Sequence, residues 1–153
     1  SAQVTVFATS HDAGESVDYR VDCGDAAVGI LTDTGFVPEP AAAALTGVDL
    51  LVLESNHDVE WLRSGPYPYS LKQRILGQRG HLSNEDAAAF ARRMAECGTR
   101  CIVLAHLSRE NNTPQRALAV METALSDLDV AVEVAPRGEL SACYGAEVAL
   151  CRK

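Results

Sequence analysis

Four histidines stand in the chain, His11, His57, His81 and His106, each beside a strand-like run or a helix start rather than on an apolar helix face. Three polar residues directly follow or closely trail apolar runs: His11 after residues 4–9, Asp33 after 27–32, and His106 after 101–105. Ligands of α/β sheets bind beyond the carboxyl ends of the strands, so these three can project from one sheet edge. Imidazole and carboxylate together suit zinc, manganese or iron. Taken singly, each reads more readily as a turn aspartate or a surface histidine than as a ligand.

Further polar groups surround that set. His81 stands two residues before Ser83, an N-cap candidate, where unsatisfied N–H groups and the helix dipole favour anions; it is placed to contact a phosphate or donate a proton, or else to bond a local carbonyl. Glu54-Ser55-Asn56-His57-Asp58 gathers two carboxylates and an imidazole at the end of the apolar run 48–53, so Glu54 or Asp58 can orient a histidine. Lys72, Arg74 and Arg79, with Tyr67 and Tyr69 nearby, can hold phosphate and stack a base, although three cations also read as an ordinary solvated face.

The elements that must carry these groups follow from the pattern. Strands are expected over 4–9, 17–22 and 27–32, separated by the turn signals Asp12-Ala13-Gly14 and Gly24-Asp25. Pro38-Glu39-Pro40 opens a short helix to Leu45, and the apolar runs 48–53 and 101–105 read as buried strands. Ser83 to Asp86 caps a helix over 87–97 that Gly98 stops, Thr113-Pro114 opens another through Leu125, and strands follow at 130–135 and 147–151. Residues 56–80 show no clear period and are expected to form a long loop of functional character. The alternation of β and α elements predicts an α/β layered domain.

The totals bound the rest. A length of 153 residues, 47% of them apolar, suits one compact domain with a real core. The net charge of −8 without a basic tail excludes a general polyanion binder, so any nucleic-acid contact must be local to a site. Five scattered cysteines suggest neither a disulfide framework nor a zinc knuckle and make a reducing cytoplasm the default. The chain opens on Ser1-Ala2-Gln3 without a secretory leader pattern or an apolar stretch long enough to span a membrane, and without an initiator methionine.

Six blocks in order, Ser10-His11-Asp12-Ala13, Thr32-Asp33-Thr34-Gly35, Leu53 to Asp58, Gly65-Pro66-Tyr67-Pro68-Tyr69, Gly80-His81-Leu82-Ser83-Asn84 and His106 to Asn112, resemble the YycJ/WalJ-type metallo-β-lactamase-fold hydrolases. The resemblance implies a four-layer αβ/βα sandwich with a two-metal site at one edge, of which this chain is the C-terminal half. His11, Asp33 and His106 then correspond to three metal ligands, with Asp33 bridging two divalent ions, zinc or manganese. It further implies catalytic roles for His81, at a substrate phosphate or as proton donor, and for Glu54 in support. Lys72, Arg74, Ser83 and Asn84 are the expected substrate-binding residues.

One departure is plain: the His-x-His-x-Asp-His motif of that family occurs nowhere in the 153 residues. A catalytic zinc normally takes three protein ligands, so the isolated chain is expected to be inactive, and the hydrolysis of nucleic-acid phosphodiesters, DNA-exonuclease-like, to belong to a parent protein. Expected partners are the missing N-terminal half or a second copy, because a half-sandwich leaves a sheet face bare. A hydrolase of small esters or thioesters and a non-catalytic α/β binding module are the competing readings.

Overall fold

The computed structural model describes residues 1–140. Its first three strands, β1 (Ala2–Ala8), β2 (Val17–Cys23) and β3 (Ala26–Leu31), form an antiparallel meander. After α1 (Glu39–Leu45) the chain changes habit: β4 (Leu50–Glu54), β5 (Cys101–Ala105) and β6 (Ala131–Val134) join in parallel, so the sheet order is β1-β2-β3-β4-β5-β6. Between β4 and β5 lie α2 (Val59–Ser64), α3 (Tyr69–Leu76) and α4 (Asn84–Glu96), and α5 (Pro114–Ala124) precedes β6. The expected strand over 147–151 lies outside the described residues.

Pairing through an intervening antiparallel strand makes β1 parallel to β3, so the carboxyl ends of β1, β3, β4 and β5 share one edge. The expectation that His11, Asp33 and His106 follow strands ending at one edge is thereby met. Local chemistry sets the helices. Ser83 accepts from the Asp86 N–H at the start of α4, Thr113 from the Arg116 N–H at the start of α5, and Pro114 fills the first turn where no N–H is needed.

The two sheet faces differ sharply. One presents Phe7, Ala27, Leu31, Leu51, Leu53, Ile102 and Leu104, which form a single core cluster with α1, α4 and α5. Gly29 lies on this face, where a Cβ would come within 2.3 Å of the Leu45 side chain, so glycine lets α1 sit against β3. The other face carries Val4, Val6, Val17, Tyr19, Val21, Val28, Ile30, Leu50 and Val52, none of which belongs to that cluster. Val4 and Val6 are each 55% exposed there.

Residues 56–80 correct the expectation of one long loop: they hold two short helices. Asp58 caps α2 by accepting from the Trp61 N–H, and Lys72 on α3 donates its ammonium to the carbonyls of Arg63 and Gly65 at the end of α2. Since α3 buries no residue, its sequence shows no apolar stripe for periodicity to reveal. No described helix is long and apolar enough to cross a membrane.

Candidate metal centre

Glu54 organises the site. Its carboxylate, fully buried at the end of β4, accepts four hydrogen bonds: from the Thr34 and Leu82 N–H groups at Oε2, and from Nδ1 of both His81 and His106 at Oε1, each of the latter at 2.7 Å. Burial alone pushes this carboxyl up, but the hydrogen bonds from His106 and His81 outweigh it and hold the group below the ordinary glutamate range. Glu54 is therefore ionised and can only accept. Each imidazole must donate from Nδ1, which leaves Nε2 with its lone pair in the neutral ring. The same hydrogen bond holds His106 above the usual histidine range.

His11 is oriented by other means with the same outcome. Its Nδ1 lies 3.1 Å from the Gly80 carbonyl, which can only accept, so Nε2 is again the bare nitrogen. The Nε2 atoms of His11 and His106 then face one Asp33 carboxylate oxygen, at 3.8 Å and 3.6 Å. His81 stands between them, its ring centroid 5.0 Å from that of His11 and 5.2 Å from that of His106. These separations are too long for hydrogen bonds and leave room for a cation between the donors.

Backbone strain points to the same residues. Among the described residues only Asp33 (φ 49°) and His106 (φ 56°) combine a side chain with left-handed φ. That conformation is uncommon outside glycine and clusters at functional sites. Gly35 follows in the Asp33 loop because the Gly77–Gln78 backbone packs directly on it: a Cβ would meet the Gln78 carbonyl at 2.4 Å. This close approach carries the turn that delivers Arg79, Gly80 and His81 to the centre.

Asp33, Glu54, His81 and His106 offer ligand atoms within 4.8 Å of one another, a spacing that a metal ion fits. The acceptor capacity of Glu54 is already committed to four donors, so it suits orientation better than ligation, while His11 lies outside this group with its Nε2 3.8 Å from Asp33.

The remaining expected residues separate into two groups. Arg74 lines a pocket beside the centre, and its Nε donates to Asp12. Lys72, Ser83 and Asn84 are tied into the frame: Lys72 on the α2 carbonyls, Ser83 capping α4, and Asn84 fully buried between Ser55 and Asn112. Two positioning residues escaped the sequence reading. Asn56 donates to the His106 carbonyl at 2.8 Å, and buried Asp18 accepts from the Thr32 N–H beside Asp33 at 2.6 Å. Burial holds the Asp18 carboxyl above the ordinary range. A carboxylate at a helix-side register position of β2 was the available signal.

No model of a protein family matches the sequence. Curated proteins do: it is 44% identical over 128 residues to the exodeoxyribonuclease WalJ of Streptococcus pneumoniae, covering 84% of this chain and 48% of that protein. It is 40% identical over 125 residues to the exodeoxyribonuclease YycJ of Bacillus anthracis, covering 82% and 47%. The chain thus spans about half the length of the curated relatives it matches. Among solved structures, the metallo-β-lactamase-fold protein YhfI from Bacillus subtilis superposes with a TM-score of 0.64 at 19% identity, over 90% of this chain and 48% of that one. In sequence the chain is thus similar to about half of the WalJ and YycJ proteins, and its fold is that of one α/β half of the metallo-β-lactamase fold.

Proposed function

We propose that the complete protein carrying this chain is a metal-dependent phosphodiesterase acting on DNA, and that the chain contributes His11, Asp33 and His106 as metal ligands. The observation that carries this reading is the pair of imidazoles whose Nδ1 atoms are engaged by Gly80 and Glu54 while both Nε2 atoms face Asp33. The curated relatives, named as exodeoxyribonucleases, support the substrate class. Divalent ions such as zinc or manganese bound there would supply Lewis-acid polarisation of a phosphoryl oxygen.

The chain's own groups do the remaining work. Glu54 fixes the tautomer and ring plane of His106 and His81 at once, so neither imidazole must reorganise when charge develops. His81 lines the open pocket while its Nδ1–H is held by Glu54, so its Nε2 lone pair is placed to take up a proton and, once the ring is doubly protonated, to return it to the departing oxygen. Arg74 stands in the same wall and, paired with Asp12, screens that carboxylate from an approaching phosphate. Three ligands are too few for two ions, so the centre is completed by the rest of the parent protein, whose partner sheet also covers the bare face of this one. Alone, these 153 residues should not turn over substrate.

The test is Asp33→Ala in the complete protein. Bound metal should fall and hydrolysis of a nucleic-acid diester should drop by roughly a thousandfold or more, with the far-ultraviolet dichroism unchanged. Retained activity would overturn the assignment.

A further inference from the structure

Next to the metal centre lies a pocket of about 330 Å³ whose wall includes Tyr67, Leu71, Arg74, Ile75, Arg79 and His81. The geometry points to this pocket as the seat of a single terminal nucleotide, with Arg79 on its phosphate and Tyr67 against its base. The inference rests on the phosphodiesterase reading and names the subsite that would give it an end-on substrate.

Charge is the first support. The chain has a net charge of −8, yet the stretch 59–80 carries Arg63, Lys72, Arg74 and Arg79 against the lone acid Glu60. An anion approaching this otherwise repulsive surface is drawn to one place, beside the centre. Of those cations, Lys72 is committed to backbone carbonyls and Arg63 pairs with Glu60. Arg74 neutralises Asp12, whose carboxyl it holds below the ordinary range, and so removes a like charge that would oppose a phosphate.

Arg79 is the cation left with capacity. Its Nε and Nη2 donate to the His11 carbonyl at 3.2 Å and 3.1 Å, which fixes the guanidinium plane against a proposed metal ligand and leaves Nη1 unengaged among the described residues. A planar group held on one edge presents its remaining N–H groups in a set direction, which is the arrangement that suits phosphate oxygens.

The apolar part of the lining selects the rest of the ligand. Tyr67, Leu71 and Ile75 are half-buried and add an apolar flank with one aromatic ring to a pocket that also holds the cations. Every base has a π-face, so an aromatic wall accepts bases without choosing among them. The volume lies near the lower limit of ligand pockets, roughly 300–1,000 Å³, which favours one nucleotide over a run of several.

The experiment is titration of the complete protein, as purified, with 2′-deoxyadenosine 5′-monophosphate, inorganic phosphate and deoxyadenosine, by calorimetry. The monophosphate should bind more tightly than either of its parts. Tyr67→Ala should weaken it by about tenfold, in line with the loss of one stacking contact, and leave inorganic phosphate unaffected, whereas Tyr67→Phe should bind as the unaltered protein does. Arg79→Ala should weaken both the monophosphate and inorganic phosphate. A monophosphate that binds no better than inorganic phosphate, or equally well to Tyr67→Ala, overturns the pocket assignment. Hydrolysis of a generic phosphodiester by the unaltered protein is read in parallel: its absence would remove the phosphodiesterase reading, while the titration still reports on the pocket.

Discussion

The two faces of the sheet are nearly equal in apolar character but unequal in cover. Toward the helices, Leu51, Leu53, Ile102 and Leu104 are 0% exposed; on the opposite side Val4, Val6, Val17 and Tyr19 of β1 and β2 are 40–55% exposed, whereas Cys101 and Val103 of β5 are 4% exposed. Runs such as Leu50-Leu51-Val52-Leu53 and Cys101-Ile102-Val103-Leu104 carry apolar residues at successive positions, the pattern of strands buried on both sides. A sheet made to be wet on one face alternates apolar with polar. The sequence therefore specifies a second cover that the helices of the described chain do not provide, and the half-length match to the curated relatives is consistent with it.

The strongest way to break this comparison is on the helix side. Leu104→Ala removes a fully buried side chain from the core cluster and should cost roughly 2–5 kcal/mol, measured by urea unfolding of the chain. A cost below about 1 kcal/mol would mean that the helix-side core is not what holds the sheet.

Next comes acid. His57 is 1% exposed, its ring nitrogens have no hydrogen-bond partner among the described residues, and burial pulls its pKa from 6.5 down to about 4. Between those values the unfolded chain binds a proton that the folded chain does not, so stability falls as pH drops from 6.5 toward 4 and the loss levels off below that. The contribution is on the order of 3 kcal/mol. Unfolding free energy measured across that window should lose this slope in His57→Phe, whereas the wild-type slope retained in the variant would place the titration elsewhere.

Gly35→Ala tests the coupling between the folded frame and the rim. The added Cβ would meet backbone at 2.4 Å, so the turn at Gly77 and Gln78 must move, and with it Gly80, the acceptor that orients His11. We expect a loss of about 1–3 kcal/mol in stability, as for overpacking. Metal affinity of the complete protein should drop with it, and unchanged affinity would uncouple the turn from the centre.

How much of this was legible depends on how local each signal was. Helix starts at Ser83 and Thr113-Pro114 and the polar residues after apolar runs could be read from neighbours in sequence, and they placed His11, Asp33 and His106 at one edge. The convergence on Glu54 was not legible in the residues, because its donors come from positions 34, 81, 82 and 106 and no periodicity links them. The helices between 56 and 80 were missed for another reason: α2 and α3 are six and eight residues long and bury little, and prolines at 66 and 68 obscure the start of α3. Asp58, three residues before Trp61, was a readable cap that the absence of a stripe concealed.

The smallest effect sharpens the comparison most. Val6→Thr keeps the shape of the side chain and adds one hydroxyl to the bare face, where Val6 is 55% exposed. In the chain by itself that hydroxyl meets water, and the change should stay within about 0.5 kcal/mol. In the complete protein, where the proposed partner sheet covers this face, the same hydroxyl is buried without a partner and should cost roughly 1–3 kcal/mol. Unfolding measured in both settings reads the difference directly. Equal small costs would mean that the face stays wet in the parent and that its valines serve the strand alone; a large cost in the isolated chain would mean that something within these 153 residues already covers it.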